Sequence, residues 1–198
     1  MGRTIYGTHL SRTARVLWMA EELALAFDHV PYAHDDPILK TDAFRAINPS
    51  GAVPVLVDGD VVLSESLAIT LYLAKTYGGN AWYPASGEAT LWQWSLWAQG
   101  HLEPWIQRDQ KALAAREPVA GSIASLVTDA LDTLDDHLAQ RDWLLANRFT
   151  VADLNVASVL SSSRTQWIDL SAHERVVRWL QRCRRRPAWI ATRAKYFD

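Results

Sequence analysis

The sequence is short of cysteine, of long apolar runs and of net charge, and each shortage excludes a class of protein. Its only cysteine, Cys183, excludes internal disulfides and any Cys-x-x-Cys redox pair. No apolar run approaches the roughly 20 residues that span a bilayer, and none near the start resembles a signal peptide. A formal charge of -2 argues against nucleic-acid and anionic-membrane partners, because both need a basic surface. We expect a globular protein of the cytoplasm.

Hydrophobic residues are abundant instead, and they include many large aromatic side chains. They make up 49% of the 198 residues, which suits the core of one large domain or of two small ones. Ten residues are tryptophan, most of them between Trp92 and Trp189. We expect these side chains to fill a core, although their area also suits a site for flat apolar ligands.

The first part of the chain alternates short strands with short helices. The predicted elements are the strand Arg3–Tyr6, the helix Ser11–Leu25, the strand Asp28–Tyr32, a helical turn Thr41–Ala46, a hairpin and the helix Glu65–Tyr77. This order is typical of a thioredoxin-like α/β layer. A run of turn-forming residues between Gly78 and Gly87 marks the end of that layer.

The rest of the chain has helical periodicity throughout. The predicted helices are Glu88–Ala115, Val119–Gln140, Thr150–Leu160, Ala172–Arg185 and Pro187–Tyr196. Pro104 is expected to bend or interrupt the first of them. We therefore predict a thioredoxin-like domain over residues 1–79, a linker over residues 80–87, and an all-α helical bundle over residues 88–198.

The segment 53–66 carries the most specific pattern. Two apolar runs, Val55–Val57 and Val61–Leu63, flank Asp-Gly-Asp, which predicts a β-hairpin. Val53-Pro54 stands before the first strand, and Glu65-Ser66 opens the helix after the second. Such a unit offers a backbone edge together with a carboxylate and a hydroxyl at a helix start, which suits a small peptide. The alternative is a hairpin entrance followed by an ordinary helix cap.

At these residues the chain resembles the soluble glutathione transferase family. The resemblance implies that the Val53-Pro54 bond is cis, that the Val53 backbone pairs with the cysteinyl residue of glutathione, and that Glu65 and Ser66 bind its γ-glutamyl end. A second stretch, Phe149-Thr150-Val151-Ala152-Asp153, resembles the capped sixth helix of the same family, where it is structural. The resemblance covers nearly the whole chain.

Two hydroxyl groups near the end of the first strand are candidates for activating the thiol of glutathione. A free thiol has a pKa of about 8.5, and its thiolate is the nucleophile. Ser11, in Tyr-Gly-Thr-His-Leu-Ser-Arg, resembles the serine of bacterial, serine-type members, which donates a hydrogen bond to the sulfur. Tyr6 stands where tyrosine-type members keep their catalytic tyrosine. We favour Ser11; the structural alternatives are an N-cap for Ser11 and packing on the first helix for Tyr6.

Three further side chains complete the expected glutathione site. Arg12 would add positive charge beside the thiolate, and His9 would touch the second substrate. The family often uses a lysine for the glycyl carboxylate, and Lys40 lies in the matching region. The chain departs from its relatives after Gly51, where they often carry lysine and this sequence has Ala52. Exposed, solvated roles therefore stay open for all three side chains.

The second substrate is expected against the helical domain. Trp97, His101 and Trp105 follow i, i+4, i+8 spacing and would share one face of its first helix. With Leu10 and the histidine beside it, this face would form the wall of an electrophile pocket. The alternative is that these rings pack between helices.

The sequence thus predicts an enzyme, a transferase that conjugates the glutathione thiolate to an electrophilic, mostly apolar small molecule in detoxification. Glutathione is the co-substrate, no metal is expected, and the resemblance implies a homodimer. The alternatives are a non-catalytic, ligandin-like glutathione-binding scaffold and a glutathione-dependent peroxidase or isomerase that uses the same site. A thiol-reducing relative would carry a cysteine where this chain has Ser11.

A basic run, Arg182-Cys183-Arg184-Arg185-Arg186, lies near the end of the chain. It is expected to be a solvated helix end, because cations near a helix C-terminus interact favourably with the helix dipole. An anion site is the alternative. Cys183 is expected to be a small buried hydrophobe rather than a reactive thiol.

Overall fold

The protein is represented by a computed structural model. The structure describes residues 2–107, 121–145, 147–161 and 168–197. It divides into two compact units, of which the first comprises Met1–Tyr83 with Arg186–Asp198 and the second comprises Pro84–Arg185.

The first unit is built on a mixed four-stranded sheet. Its strands are β1 Arg3–Tyr6, β2 Asp28–Val30, β3 Val55–Asp58 and β4 Val61–Ser64, in the spatial order β2-β1-β3-β4. β1 runs parallel to β2 and antiparallel to β3, and β3 and β4 form the predicted hairpin. The sheet and its order of elements confirm the thioredoxin-like α/β layer.

Short helices connect these strands. They are α1 Thr13–Glu22, a 3-10 turn Pro37–Lys40, α2 Asp42–Ile47, α3 Ser66–Leu73, a wide π-type turn Ala74–Gly78 and α4 Gly79–Trp82. α1 starts two residues later than predicted, because Ser11 lies in a turn that its N–H closes by donating to the carbonyl of Thr8. It also ends earlier than predicted, just before Ala24 adopts a φ of 49°. α1 packs against α3.

Side chains of the two central strands alternate between the faces of the sheet. Ile5 and Leu56 lie opposite each other on β1 and β3 and are almost completely buried. Tyr6 and Val55 form the next pair and point to the other face, where they pack with Phe44 of α2. The sheet therefore has apolar packing on both faces, which fixes the position of its strand ends.

The described part of the second unit is helical. Its helices are α5 Glu88–Trp97, α6 Gly121–His137, α7 Val151–Leu160 and α8 Glu174–Arg184, with residues 103–107 also helical. A wide turn, Ala98–Leu102, interrupts the first predicted helix, which extended to Ala115; residues 108–115 lie outside the described residues. The interruption falls before Pro104, as expected, because a proline ring clashes with the carbonyl four residues earlier. No helix among the described residues is long and apolar enough to cross a membrane.

A buried carboxylate joins three parts of this unit. Asp153 accepts hydrogen bonds from the backbone N–H and the hydroxyl of Thr150, which completes the predicted capping box of α7. It also accepts from the N–H of Leu144 and from the indole N–H of Trp179, each at 2.9 Å. Burial raises the pKa of Asp153 to about 6, although all of these hydrogen bonds favour the ionised form.

The last helix, α9 Pro187–Tyr196, belongs to the first compact unit. It packs against α1, where the guanidinium of Arg186 makes two hydrogen bonds to Glu22 at 2.6 and 2.9 Å. Lys195 pairs with Glu21 at 2.8 Å. This differs from the predicted division, which assigned residues 88–198 to one helical domain. These ion pairs join residues more than 150 positions apart, so local pattern could not reveal them.

Candidate functional site

The predicted residues of the first unit gather at one end of its sheet. Tyr6, the last residue of β1, lies opposite Val55, the first residue of β3. Val55 in turn lies opposite Ser64, the last residue of β4. Three segments therefore meet at the same end of the sheet: the loop after β1, the Val53-Pro54 pair and the start of α3.

Gly7 brings two of these segments into contact. Its φ of +120° is one that residues with side chains rarely adopt. A Cβ at this position would lie 2.1 Å from the hydroxyl of Thr13 and 2.9 Å from the Cβ of Val53. The start of α1 and the backbone edge before β3 thus close in on the end of β1, and only glycine leaves room for both.

Ser11 was predicted to be the first residue of the helix. It lies instead in the turn that precedes α1. Its Oγ accepts a hydrogen bond from the N–H of Thr13 at 3.2 Å. The same Oγ is 2.7 Å from the Thr13 hydroxyl and 2.9 Å from the carbonyl oxygen of Thr8. The Ser11 hydroxyl is therefore held at the opening of α1, where backbone N–H groups favour negative charge.

The backbone that leads to Val53 is fixed by the residues that precede it. The Val53-Pro54 peptide bond is cis, as the resemblance implied, and Pro54 is buried. The side-chain amide of Asn48 donates to the carbonyl of Ala52 at 2.8 Å and fixes the preceding residue. Val53 therefore leads into β3 from an anchored turn.

Glu65 adopts an unusual backbone conformation directly after β4. Its φ of 68° and ψ of 110° are strained for any residue other than glycine, and such a conformation costs about 1–3 kcal/mol. The Glu65 side chain is exposed, whereas Ser66, the first residue of α3, is buried. Strain of this kind accumulates at binding sites, which makes Glu65 a candidate in its own right.

Lys40 reaches the same end of the sheet from the 3-10 turn. Its ammonium donates a hydrogen bond to the carbonyl of Gly51 at 2.8 Å, two residues before Val53. Gly51 has a φ of +57°, and a Cβ there would lie 2.5 Å from the carbonyl oxygen of Leu39. Lys40 remains exposed, so its ammonium is a positive charge beside the turn that leads to Val53.

Tyr6 points away from the loop that carries Ser11. Its ring stacks on Tyr32 with centroids 6.1 Å apart and meets Phe44 edge-on at 5.9 Å. Together with Val53 the ring covers the buried cluster on the α2 face of the sheet. Tyr6 is thus a packed aromatic residue, and its partners belong to α2 and the loop after β2 rather than to α1.

His9 and its neighbours form the outer side of the loop. The His9 ring packs on Phe197, with centroids 4.7 Å apart, just beyond the end of α9. Burial, followed by the charges of His29 and Arg193, lowers the pKa of His9. Leu10 is 63% exposed, and Arg12 is the exposed N-cap residue of α1.

The proposed electrophile face of the helical unit departs from its expected geometry. Trp97 ends α5, where its ring meets the buried Trp94 at 5.1 Å, and His101 lies exposed in the wide turn. Trp105 is half-buried in the helical stretch after that turn. Since a π-type turn changes the helical phase, spacing alone no longer puts these three side chains on one face.

Four residues that support the site were missed by the sequence analysis: Gly7, Thr13, Asn48 and His29. Thr13 follows Ser11 by two positions, the spacing of a serine turn, and Asn48 precedes a proline, so both carried a local signal. His29 did not, because its imidazole pairs with the carbonyl of Gly7, 22 positions away, at 2.8 Å. Within the described residues, no cluster of three or more histidine, cysteine or acidic side chains could hold a metal.

Two family models match this chain over nearly its whole length. "Glutathione S-transferase, N-terminal domain" matches residues 11–76, and "Glutathione S-transferase, C-terminal domain" matches residues 80–182. Glutathione S-transferase 3 of Zea mays is 33% identical over 203 residues, which covers 95% of this chain and 91% of the relative. Glutathione S-transferase GstB of Escherichia coli K12 is 29% identical, over 93% of this chain and 94% of the length of GstB.

Solved structures give the same result. A theta-class glutathione S-transferase from Xanthomonas axonopodis pv. citri, solved with glutathione bound, has a TM-score of 0.80 and 30% identity. It covers the whole of this chain and 98% of its own. Glutathione S-transferase 1-6 from Anopheles dirus species B has a TM-score of 0.89 over 98% of this chain and 95% of its own, and at 24% identity it supports the fold alone.

Proposed function

The chain belongs to the glutathione S-transferase family, and we propose that it conjugates the thiolate of glutathione to an electrophilic, mostly apolar small molecule. One observation carries the proposal. The Ser11 hydroxyl, the backbone edge at Val53 and the strained Glu65 all lie at one end of the first unit's sheet. That arrangement offers a backbone partner, an ionic partner and a hydroxyl to a single short peptide.

The peptide would lie extended across this end of the sheet. The N–H and C=O of Val53 would pair with the cysteinyl residue in the manner of an added strand. The carboxylate of Glu65 would bind the ammonium of the γ-glutamyl end. Ser66 and the first N–H groups of α3 would bind its carboxylate, because the start of a helix favours negative charge.

Lys40 would bind the glycyl carboxylate at the opposite end of the peptide. Its ammonium is exposed and already lies 2.8 Å from the carbonyl of Gly51, close to Val53. A lysine there would replace the family lysine that is missing at Ala52. The ammonium has three N–H donors, so it can bind the carboxylate without releasing Gly51.

Ser11 would hold the sulfur as a thiolate. Lowering a thiol pKa by two units needs about 2.7 kcal/mol, which one charge-assisted hydrogen bond and a helix N-terminus can supply together. The hydroxyl of Thr13, 2.7 Å from Ser11 Oγ, can donate to that oxygen. The Ser11 proton, which the carbonyl of Thr8 accepts at 2.9 Å, would turn to the sulfur when glutathione binds. Arg12, the N-cap residue, would add positive charge nearby. Tyr6 is the weaker candidate, because its ring is packed against Tyr32 and Phe44.

The second substrate would lie beside the exposed side chain of Leu10 and the ring of His9. Within the helical unit, Trp97, His101 and Trp105 stay the predicted residues for contact with an apolar substrate. The proposal extends to a homodimer in the cytoplasm, and sedimentation of the purified protein tests the dimer.

Titration of glutathione into the protein, followed by thiolate absorbance, tests the function directly. A bound thiol with a pKa near 7 is expected, with turnover on a panel of electrophiles. Ser11→Ala should restore the pKa of free glutathione, whereas Tyr6→Phe should leave it low. An unshifted thiol pKa in the wild-type complex would overturn the catalytic proposal, and tight binding without turnover would favour a scaffold.

A further inference from the structure

One face of α8 is strongly basic. Arg175, Arg178 and Arg182 are spaced i, i+3 and i+7, which puts their side chains on the same side of the helix. Val176, Trp179 and Leu180 lie between these arginines in sequence and are buried. Basic residues are therefore not confined to the predicted run at the C-terminal end of α8. They also occur one and two turns earlier in the helix.

These three arginines line a small cavity in the second unit. The opposite wall is the segment 138–142, which follows α6 and contributes a fourth guanidinium, Arg141. The cavity holds about 260 Å³, less than the roughly 300–1,000 Å³ that drug-sized ligands occupy. Its lining has four cationic side chains and one carboxylate, Asp142.

Three of the four arginines pair with a carboxylate, but two of those carboxylates are largely exposed. Arg175 donates to the mostly buried Asp135 at 2.6 Å. Arg178 meets only Glu174 among its ion-pair partners in the described chain, at 3.4 Å, and that carboxylate is 81% exposed. Such exposed pairs contribute little to stability, so Arg178 can exchange Glu174 for a better acceptor.

Arg182 has an unused donor in the same place. One of its terminal nitrogens donates to the backbone carbonyl of Asp142 at 2.7 Å and lies 3.4 Å from the carboxylate of the same residue, which is 80% exposed. Its Nε is buried and has no hydrogen-bond partner among the residues that the structure describes. A buried donor without an acceptor costs free energy, and the guanidinium also lies over the ring of Trp143, 5.5 Å from its centroid. Arg141, which donates to the carbonyl of His137 at 3.2 Å, approaches from the other wall.

We propose that this cavity binds a compact ligand that carries a phosphate group. Guanidinium groups match phosphate oxygens with paired N–H donors, and three arginines reach this cavity without a buried carboxylate to hold them. The small volume and charged lining exclude a flat apolar ligand. All of the lining residues belong to the second unit.

Calorimetry with inorganic pyrophosphate as the probe tests the proposal, at an ionic strength held constant with sodium chloride. Arg178→Gln removes an exposed arginine of the cavity, and Arg182→Gln removes the one with the unused donor. Arg185→Gln is the matched control, because it removes the same charge from an exposed residue outside the cavity. Citrate, a carboxylate of comparable charge, tests the chemical class.

Saturable binding of one pyrophosphate per chain is expected, weakened at least about tenfold in both cavity variants and unchanged in Arg185→Gln. Glutathione titration of the same variants should give wild-type values. Arg178→Gln keeps the test valid should Arg182→Gln lose stability. Absence of binding, equal weakening in Arg185→Gln, or tighter binding of citrate than of pyrophosphate would each overturn the proposal.

Discussion

The hydroxyl oxygens of Ser11 and Thr13 lie 2.7 Å apart at the point where α1 begins. Thr13 is completely buried, and its side chain occupies the space that a Cβ at Gly7 would need. The proposed catalytic hydroxyl is therefore oriented by a neighbour that has no contact with solvent. Since Ser11 Oγ donates its proton to the carbonyl of Thr8 at 2.9 Å, the Thr13 hydroxyl is left to donate to Ser11 Oγ.

Replacing Thr13 with valine should impair catalysis without preventing glutathione from binding. Valine keeps the shape but cannot donate to Ser11 Oγ, so the Ser11 hydroxyl becomes a weaker donor to the sulfur. We expect the pKa of bound glutathione to rise and kcat to fall about tenfold, equivalent to about 1.4 kcal/mol. Thr13→Ser, which retains the hydroxyl, is the control and should keep most of the activity. An unchanged thiol pKa in Thr13→Val would remove Thr13 from the mechanism.

Two substitutions of Glu65 distinguish the effect of its carboxylate on glutathione binding from the effect of its backbone conformation on stability. Glu65→Ala removes the carboxylate and keeps a side chain at a φ of 68°, whereas Glu65→Gly removes both the carboxylate and the strain. Both variants should bind glutathione at least about tenfold more weakly, since an ionic hydrogen bond is lost. Urea unfolding should show Glu65→Gly to be more stable than Glu65→Ala by about 1 kcal/mol. Equal stabilities would mean that the conformation carries no strain.

Lys40 can be tested by changing the ligand as well as the protein. If its ammonium binds the glycyl carboxylate, Lys40→Met should weaken glutathione binding by about tenfold. The same substitution should leave the affinity for γ-glutamylcysteine, which lacks the glycine, nearly unchanged. Loss of affinity for both ligands would instead point to the turn at Gly51, which the lysine also holds. Calorimetry with the two peptides distinguishes these outcomes.

The hairpin and its flanks could be predicted because their signals are local. Asp-Gly-Asp lies between two apolar runs, and the observed strands extend the predicted ones by one residue each, to Asp58 and Ser64. The same holds for the Thr150 and Asp153 cap, whose partners are three residues apart. Where the residues that decide a conformation are neighbours in the chain, the pattern was sufficient.

The features that the sequence could not reveal depend on contacts between distant residues. The close approach of Thr13 and Val53 at Gly7 joins segments 46 positions apart. The membership of α9 in the first unit depends on Arg186 reaching Glu22. The positive φ of Glu65 could not be predicted from its residue type, since glutamate has no preference for that region. The sequence supplied candidate site residues, which stay predictions, but not the distant contacts that hold them in place.

The buried Asp153 should make stability depend on pH in an identifiable window. Its carboxyl has a pKa of about 6 in the folded protein and about 3.8 when unfolded. Between these values the folded state binds more protons than the unfolded state, so the free energy of unfolding falls as pH rises. The contribution of Asp153 to the free energy of unfolding is complete below pH 3.8, is lost as the pH rises through 6, and amounts to about 3 kcal/mol.

Asp153→Asn cannot titrate, so the destabilisation that it causes should shrink by about this amount between pH 4 and pH 7. Urea unfolding of both proteins across that range measures the difference. A penalty that grows with pH would mean that the hydrogen bonds from Leu144, Thr150 and Trp179 outweigh burial and keep Asp153 ionised.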